Sequence, residues 1–119
     1  MKPRAVALVA GGGFAGALCR HGIAVVLPGT FPWGTLVVNV AGAFLLGAIV
    51  YGTERLRSVP ESTRLVVATG FLSSFTTYST FAGETIALAP RLAALNVVGN
   101  YALGFVAVLV AREVIRWRS

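Results

Sequence analysis

Apolar residues in this chain come in long blocks, without the apolar–polar alternation of a half-buried strand. Four blocks stand out, at residues 5–27, 34–52, 65–88 and 92–111. Each is close to the roughly 20 residues an α-helix needs to cross the hydrocarbon of a bilayer. Turn-forming and polar residues separate them: Pro28, Gly29 and Pro32 after the first, a polar link at 53–64 after the second, and Pro90 before the fourth. The pattern predicts an all-α membrane protein, one transmembrane domain of four helices over residues 1–119. Internal repeats and low-complexity tracts are absent.

The third block departs from the others. Residues 70–84 read GFLSSFTTYSTFAGE, which crowds Ser73, Ser74, Thr76, Thr77, Ser79 and Thr80 around Phe75, Tyr78 and Phe81. In hydrocarbon each hydroxyl needs a hydrogen-bond partner. Serine and threonine can bond back to carbonyls one turn earlier, but that accounts for some of this cluster and not all of it. The stretch predicts a broken third helix lining an ion path. The broken backbone frees carbonyls for a cation, and hydroxyls and ring edges serve a small anion. Tyr78 and Phe81 share a helix face, and ring edges carry partial positive charge. Core packing is the other reading of these rings. Glu84 either ends the helix at the interface or hydrogen-bonds inside the bundle.

The remaining spans carry fewer polar residues. The first holds Gly11, Gly12, Gly13 and Gly16, and Gly12 and Gly16 form a GxxxG pair suited to close helix packing within the chain. Arg20 is either a snorkelling interfacial residue or the partner of a buried acid, and His21 beside it reads as interfacial. In the second span Asn39 stands out, with Gly42 on its face; it is either interhelical glue or an anion donor at a pore mouth. The fourth span opens with Asn96, Asn100 and Tyr101. Asn96 reads as a cap or packing residue, and Tyr101 is placed to reach a pore.

Composition agrees with the pattern: 56% of the chain is hydrophobic and only 12% charged, about half the charged share of soluble domains. The net charge of +6 does not point to nucleic acid, because the basic residues flank apolar runs instead of forming a stripe. With four spans, Lys2, Arg4, Arg55, Arg57, Arg64, Arg112, Arg116 and Arg118 fall on one side, against Arg20 and Arg91 on the other. The positive-inside rule then places both termini in the cytoplasm, with the chain multi-pass in the cell (inner) membrane. Lys2 and Arg4 before an apolar run resemble a secretory signal, but the segment reads as a retained first span. The lone Cys19 allows no intrachain disulfide. No nucleophile–base pair or metal-ligand set suggests an enzyme.

At residues 34–47 (GTLVVNVAGAFLLG) and 76–81 (TTYSTF), with Glu84 following, the chain resembles the Fluc/CrcB family of fluoride channels. GGFAGALCR in the first span and Asn96 ahead of Gly104 add to the resemblance. It implies an antiparallel, dual-topology-type dimer with two fluoride pores, acting as a passive exporter that lowers cytoplasmic fluoride and its toxicity. It implies a structural sodium ion at the dimer centre, held by the carbonyls of Ser73 and Thr76. The family's pore aromatics correspond to Tyr78 and Phe81, its second-helix asparagine to Asn39, and its polar track to Thr80, Glu84 and Tyr101. Three departures from the family's common pattern stand out: Ser73-Ser74 replaces Gly-Gly, Tyr78 replaces Phe, and His21 replaces a frequent aromatic. The charge split is also far from the balance that a dual-topology homodimer needs. The expected assembly is therefore a homodimer or, from the charge bias, a heterodimer with an oppositely oriented paralogue. Two rival readings exist. A small multidrug-type transporter needs a carboxylate in its first span, which is missing here; a non-conducting partner subunit would not need the hydroxyl–aromatic cluster.

Overall fold

The computed structural model describes residues 2–56 and 60–118. Residues 57–59 of the central link, with Arg57 of the charge count, lie outside the described residues. Helix α1 (Pro3–Val26) starts on a proline, whose missing N–H costs nothing in the first turn. The chain then turns at Gly29, whose φ of +144° is open to glycine and strained for other residues. Helix α2 (Trp33–Leu56) follows. The third span begins as α3 (Glu61–Arg64), continues as a π-helical segment (Leu65–Leu72) and ends in a single α turn, α4 (Ser73–Phe75). Thr76 and Thr77 are extended, α5 (Tyr78–Ala87) resumes the span, and α6 (Pro90–Arg118) again opens on proline.

Among the described residues, three helices are continuous and apolar enough to cross a membrane: α1, α2 over Trp33–Thr53, and α6. The third expected span is present in two pieces, parted inside its Ser/Thr-rich stretch. The 29 residues of α6 reach about 43 Å, beyond the roughly 30 Å of hydrocarbon. Its last turns, with Arg112, Arg116 and Arg118, therefore extend toward the headgroups. Both ends of the expected polar link at 53–64 are helical.

The bundle is built from two parallel pairs, α1 with the π segment and α2 with α6. A Cβ on Gly12 would overlap the Val66 carbonyl oxygen, and one on Gly16 the Phe71 carbonyl oxygen, so α1 lies backbone to backbone on the third span. Along the second pair Gly104 faces Ala43 and Gly47 faces Ala111. These registers set the start of α1, the central link and the end of α6 at one end of the bundle. Lys2, Arg4, Glu61 and Ser62 share a groove there. Large apolar side chains such as Val26, Ile86 and Phe105 face outward, as expected where the surrounding solvent is lipid. The inner cluster of Val38, Leu72 and Phe75 sits beside the break in the third span.

Candidate ion pathway

The break has an identifiable cause. Thr76 and Thr77 adopt φ/ψ of −79°/156° and −150°/120°, both extended. The side-chain amide of Asn39 pairs with the Thr77 peptide as a second peptide would: its Oδ1 accepts from Thr77 N at 2.9 Å, and its Nδ2 donates to Thr77 O at 3.3 Å. Thr77 then caps α5, its Oγ1 accepting from Thr80 N at 3.2 Å. In an unbroken helix the N–H groups of Thr77 and Thr80 would bond the carbonyls of Ser73 and Thr76. Both donors are diverted, so those carbonyls fall outside the helical ladder. Gly42 makes the approach possible, since a Cβ there would overlap the Thr76 methyl group.

Arg20 fulfils neither of its two expected roles in the simple form. Its Nε donates to the Ser74 carbonyl at 3.0 Å, placing a cation at the C-terminal end of a helical stretch, where the backbone is electronegative. Ser73 and Ser74 remain helical, because the break falls after them; Ser73 Oγ donates to the carbonyls of Thr69 and Gly70. Thr76 Oγ1 likewise donates back to Leu72 O at 2.9 Å. The family's Gly-Gly flexibility is thus not needed at these two serines.

A groove of about 270 Å³ opens beside the break. Of the expected pathway residues, Asn39, Tyr78, Phe81 and Tyr101 line it, together with Thr76, Thr77 and Asn100. Phe81 is buried, with 6% of its surface exposed, and anchors the rings. Tyr101 meets it edge to face at 6.0 Å and 84°, and Tyr78 meets it at 6.0 Å and 48°. Tyr78 and Tyr101 stay largely open in the single chain, at 73% and 62%. Both N–H groups of the Asn39 amide are engaged, one by Thr77 O and the other by Asn100 Oδ1 at 3.0 Å. Asn39 therefore holds the break with both of its amide protons, and the rings of Tyr78, Phe81 and Tyr101 line the groove beside it. Thr80 and Glu84 lie outside this groove. Glu84 hydrogen-bonds inside the bundle, its Oε1 accepting from Thr35 Oγ1 at 2.5 Å and tying α5 to α2.

Thr77, Asn96 and Asn100 are the site residues that the sequence reading undervalued. The i, i+4 spacing of the two asparagines was the available signal; their partners come from other helices. Asn96 is fully buried inside α6, a packing position and not a cap. Among the described residues no three His, Cys, Asp or Glu side chains gather into a metal-binding group.

Comparison with known proteins agrees with this architecture. The family model described as CrcB-like protein, Camphor Resistance (CrcB), matches residues 7–112. Fluoride-specific ion channel FluC 1 of Haloarcula marismortui is 52% identical over 111 residues, covering 93% of this chain and 85% of the relative. Fluoride-specific ion channel FluC 2 of Halobacterium salinarum is 48% identical over 112 residues, with 93% and 86% covered. A FluC 2 channel of Symbiobacterium thermophilum is 47% identical over 120 aligned residues, with 92% and 97% covered. Matched along nearly all of its length, and with its third span broken at the motif that first suggested the kinship, this chain belongs to the CrcB family.

Proposed function

We propose that this chain is a subunit of a fluoride-selective channel that lets fluoride leave the cytoplasm passively across the cell (inner) membrane. The observation that carries this reading is the groove at the break. Phe81, Tyr78 and Tyr101 converge there with edges and hydroxyls, and among the described residues no lysine, arginine or histidine lines it. Ring edges and hydroxyls replace part of an anion's hydration without the full charge that would trap it. The relatives are named for fluoride, and that is the ion we assign. A multidrug-type exchanger is disfavoured, because α1 carries no carboxylate to exchange protons.

The same reading assigns a structural sodium ion to the carbonyls of Ser73 and Thr76. Support comes from the diversion of their helical donors to Asn39 and Thr77. Hard cations take oxygen ligands, about six or more of them. Two carbonyls from one chain fall short, so the site calls for a second, antiparallel subunit bringing its own break. Bound there, the ion supplies positive charge that holds two broken backbones together. The unequal split of Lys and Arg between the two ends favours insertion mainly one way, termini in the cytoplasm, with an oppositely oriented paralogue as partner.

Efflux from fluoride-loaded liposomes, read with a fluoride-selective electrode and with chloride as control, tests the proposal. Fluoride release without chloride release is expected from this chain, alone or with its paralogue. Release from neither preparation would leave a non-transporting assembly role.

A further inference from the structure

The side chain with the least explained position is Asn96, which is wholly buried (0% exposed) and does not line the groove. It stands in the middle of a one-way chain of hydrogen bonds. Asn39 Nδ2 donates to Asn100 Oδ1 at 3.0 Å, and Asn100 Nδ2 donates to Asn96 Oδ1 at 3.0 Å and Asn96 O at 2.8 Å. Asn96 Nδ2 donates to Thr85 Oγ1 at 2.8 Å, and Thr85 Oγ1 donates to Phe81 O at 2.7 Å. The chain starts at Thr77, the cap of α5, passes through α2 and α6, re-enters α5 at Thr85 and ends on the Phe81 carbonyl.

Its direction follows from chemistry. The Thr85 hydroxyl spends its single proton on Phe81 O, so toward Asn96 it can only accept. Asn96 must then present N–H to Thr85 and its oxygen to Asn100. Asn100 in turn must present its oxygen to Asn39, whose own oxygen is left facing Thr77 N–H. A reversal at Asn96 would set its N–H against that of Asn100; were Asn100 to turn in response, it would give up its bond to the Asn96 carbonyl and set an Asn39 N–H against the Thr77 N–H, two donors with no acceptor. We infer that Asn96 is a positioning residue of the ion pathway: acting through Asn100, it fixes which way the Asn39 amide faces, and so holds the break and the start of α5 beneath the pore rings. The inference rests on the channel reading for its functional consequence, but not for its structural one.

The test compares Asn96→Asp with Asn96→Leu and wild type. A protonated aspartic acid keeps one acceptor for Asn100 and one O–H for Thr85, so it can rebuild the ladder. An ionised one cannot donate. Burial raises a carboxyl pKa above its usual value of about 4, in documented cases to about 8–9, so a series from about pH 5.5 to about pH 9 spans both forms. The ionisable groups on the elements packed against Asn96 are Tyr78 and Glu84 on α5, Tyr51, Glu54 and Arg55 on α2, and Arg91, Tyr101, Arg112, Glu113, Arg116 and Arg118 on α6 itself. All are also in wild type, so comparison at equal pH removes their part. Two readouts are taken: amide hydrogen exchange over residues 76–81 in purified protein, and fluoride efflux corrected with protein-free vesicles.

Asn96→Asp should match wild type at low pH. At high pH it should show about tenfold faster exchange and about tenfold lower efflux, the scale of one buried hydrogen bond left unmade. Asn96→Leu should be defective at every pH. Asn96→Asp behaving as wild type throughout, or defective at both ends of the range, overturns the inference. If wild type itself releases no fluoride, that result counts against the channel reading, and the exchange arm alone decides the role of Asn96.

Discussion

One side chain, Asn39, satisfies both the N–H and the C=O of the Thr77 peptide, and one ring, Phe81, touches both of the exposed tyrosine rings beside it. The first interaction makes the break, and the second gathers the rings beside it. Phe81→Ile keeps the site apolar but removes the ring edge, so fluoride efflux should fall to the protein-free level while the assembly state on size exclusion is unchanged. Undiminished efflux would remove the aromatic-edge argument. The Phe81 ring was readable as important from its place among hydroxyls. The locked orientation of the Asn39 amide was not, because both acceptors of its protons lie far along the chain, at Thr77 and Asn100.

Among the elements, the third span depends on α1. Glycines at 12 and 16 let the two backbones touch, and Gly70 returns the contact, since a Cβ there would sit 2.5 Å from Val9 O. Gly16→Ala should lower the thermal stability of the purified protein by about 1–3 kcal/mol, the usual effect of overpacking a tight contact. Gly11→Ala should leave it unchanged, because nothing lies within 4 Å of that position. Equal effects of the two substitutions in a melting experiment would contradict the packing described. The glycine string announced close approach, but not which glycines make it; that depends on the rotation of α1 against its neighbour. The π-helical turn at Leu65–Leu72 was not legible either, since a uniformly apolar run carries no polar marker of its winding.

At the scale of the molecule, the parallel registers α1 with the π segment and α2 with α6 collect the start of α1, the end of α2, the start of α3 and the end of α6 at one end. Eight of the ten Lys and Arg residues belong to the termini and the central link. A C-terminal tag should therefore be protected from an impermeant reagent in most intact cells and become reactive when the membrane is opened. Equal labelling of both orientations would reject the one-way insertion and, with it, the need for a paralogue. Much of the outward-facing apolar surface is in place for lipid or a partner, and the outer positions of Tyr78 and Tyr101 await one of these.

What could be read from the residues in order was everything governed by local composition. Span number and length follow from the match between a helix and bilayer thickness, and the break follows from an excess of hydroxyls in a segment that lipid should surround. What required the fold was every pairing between helices. The amide ladder from Asn39 to Thr85, the Arg20 bond to the Ser74 carbonyl and the Thr35–Glu84 contact join residues that are near in space and distant in sequence. A side-chain hydrogen bond is directional and short, so its partner is set by how helices rotate and cross, which the linear order of residues does not express.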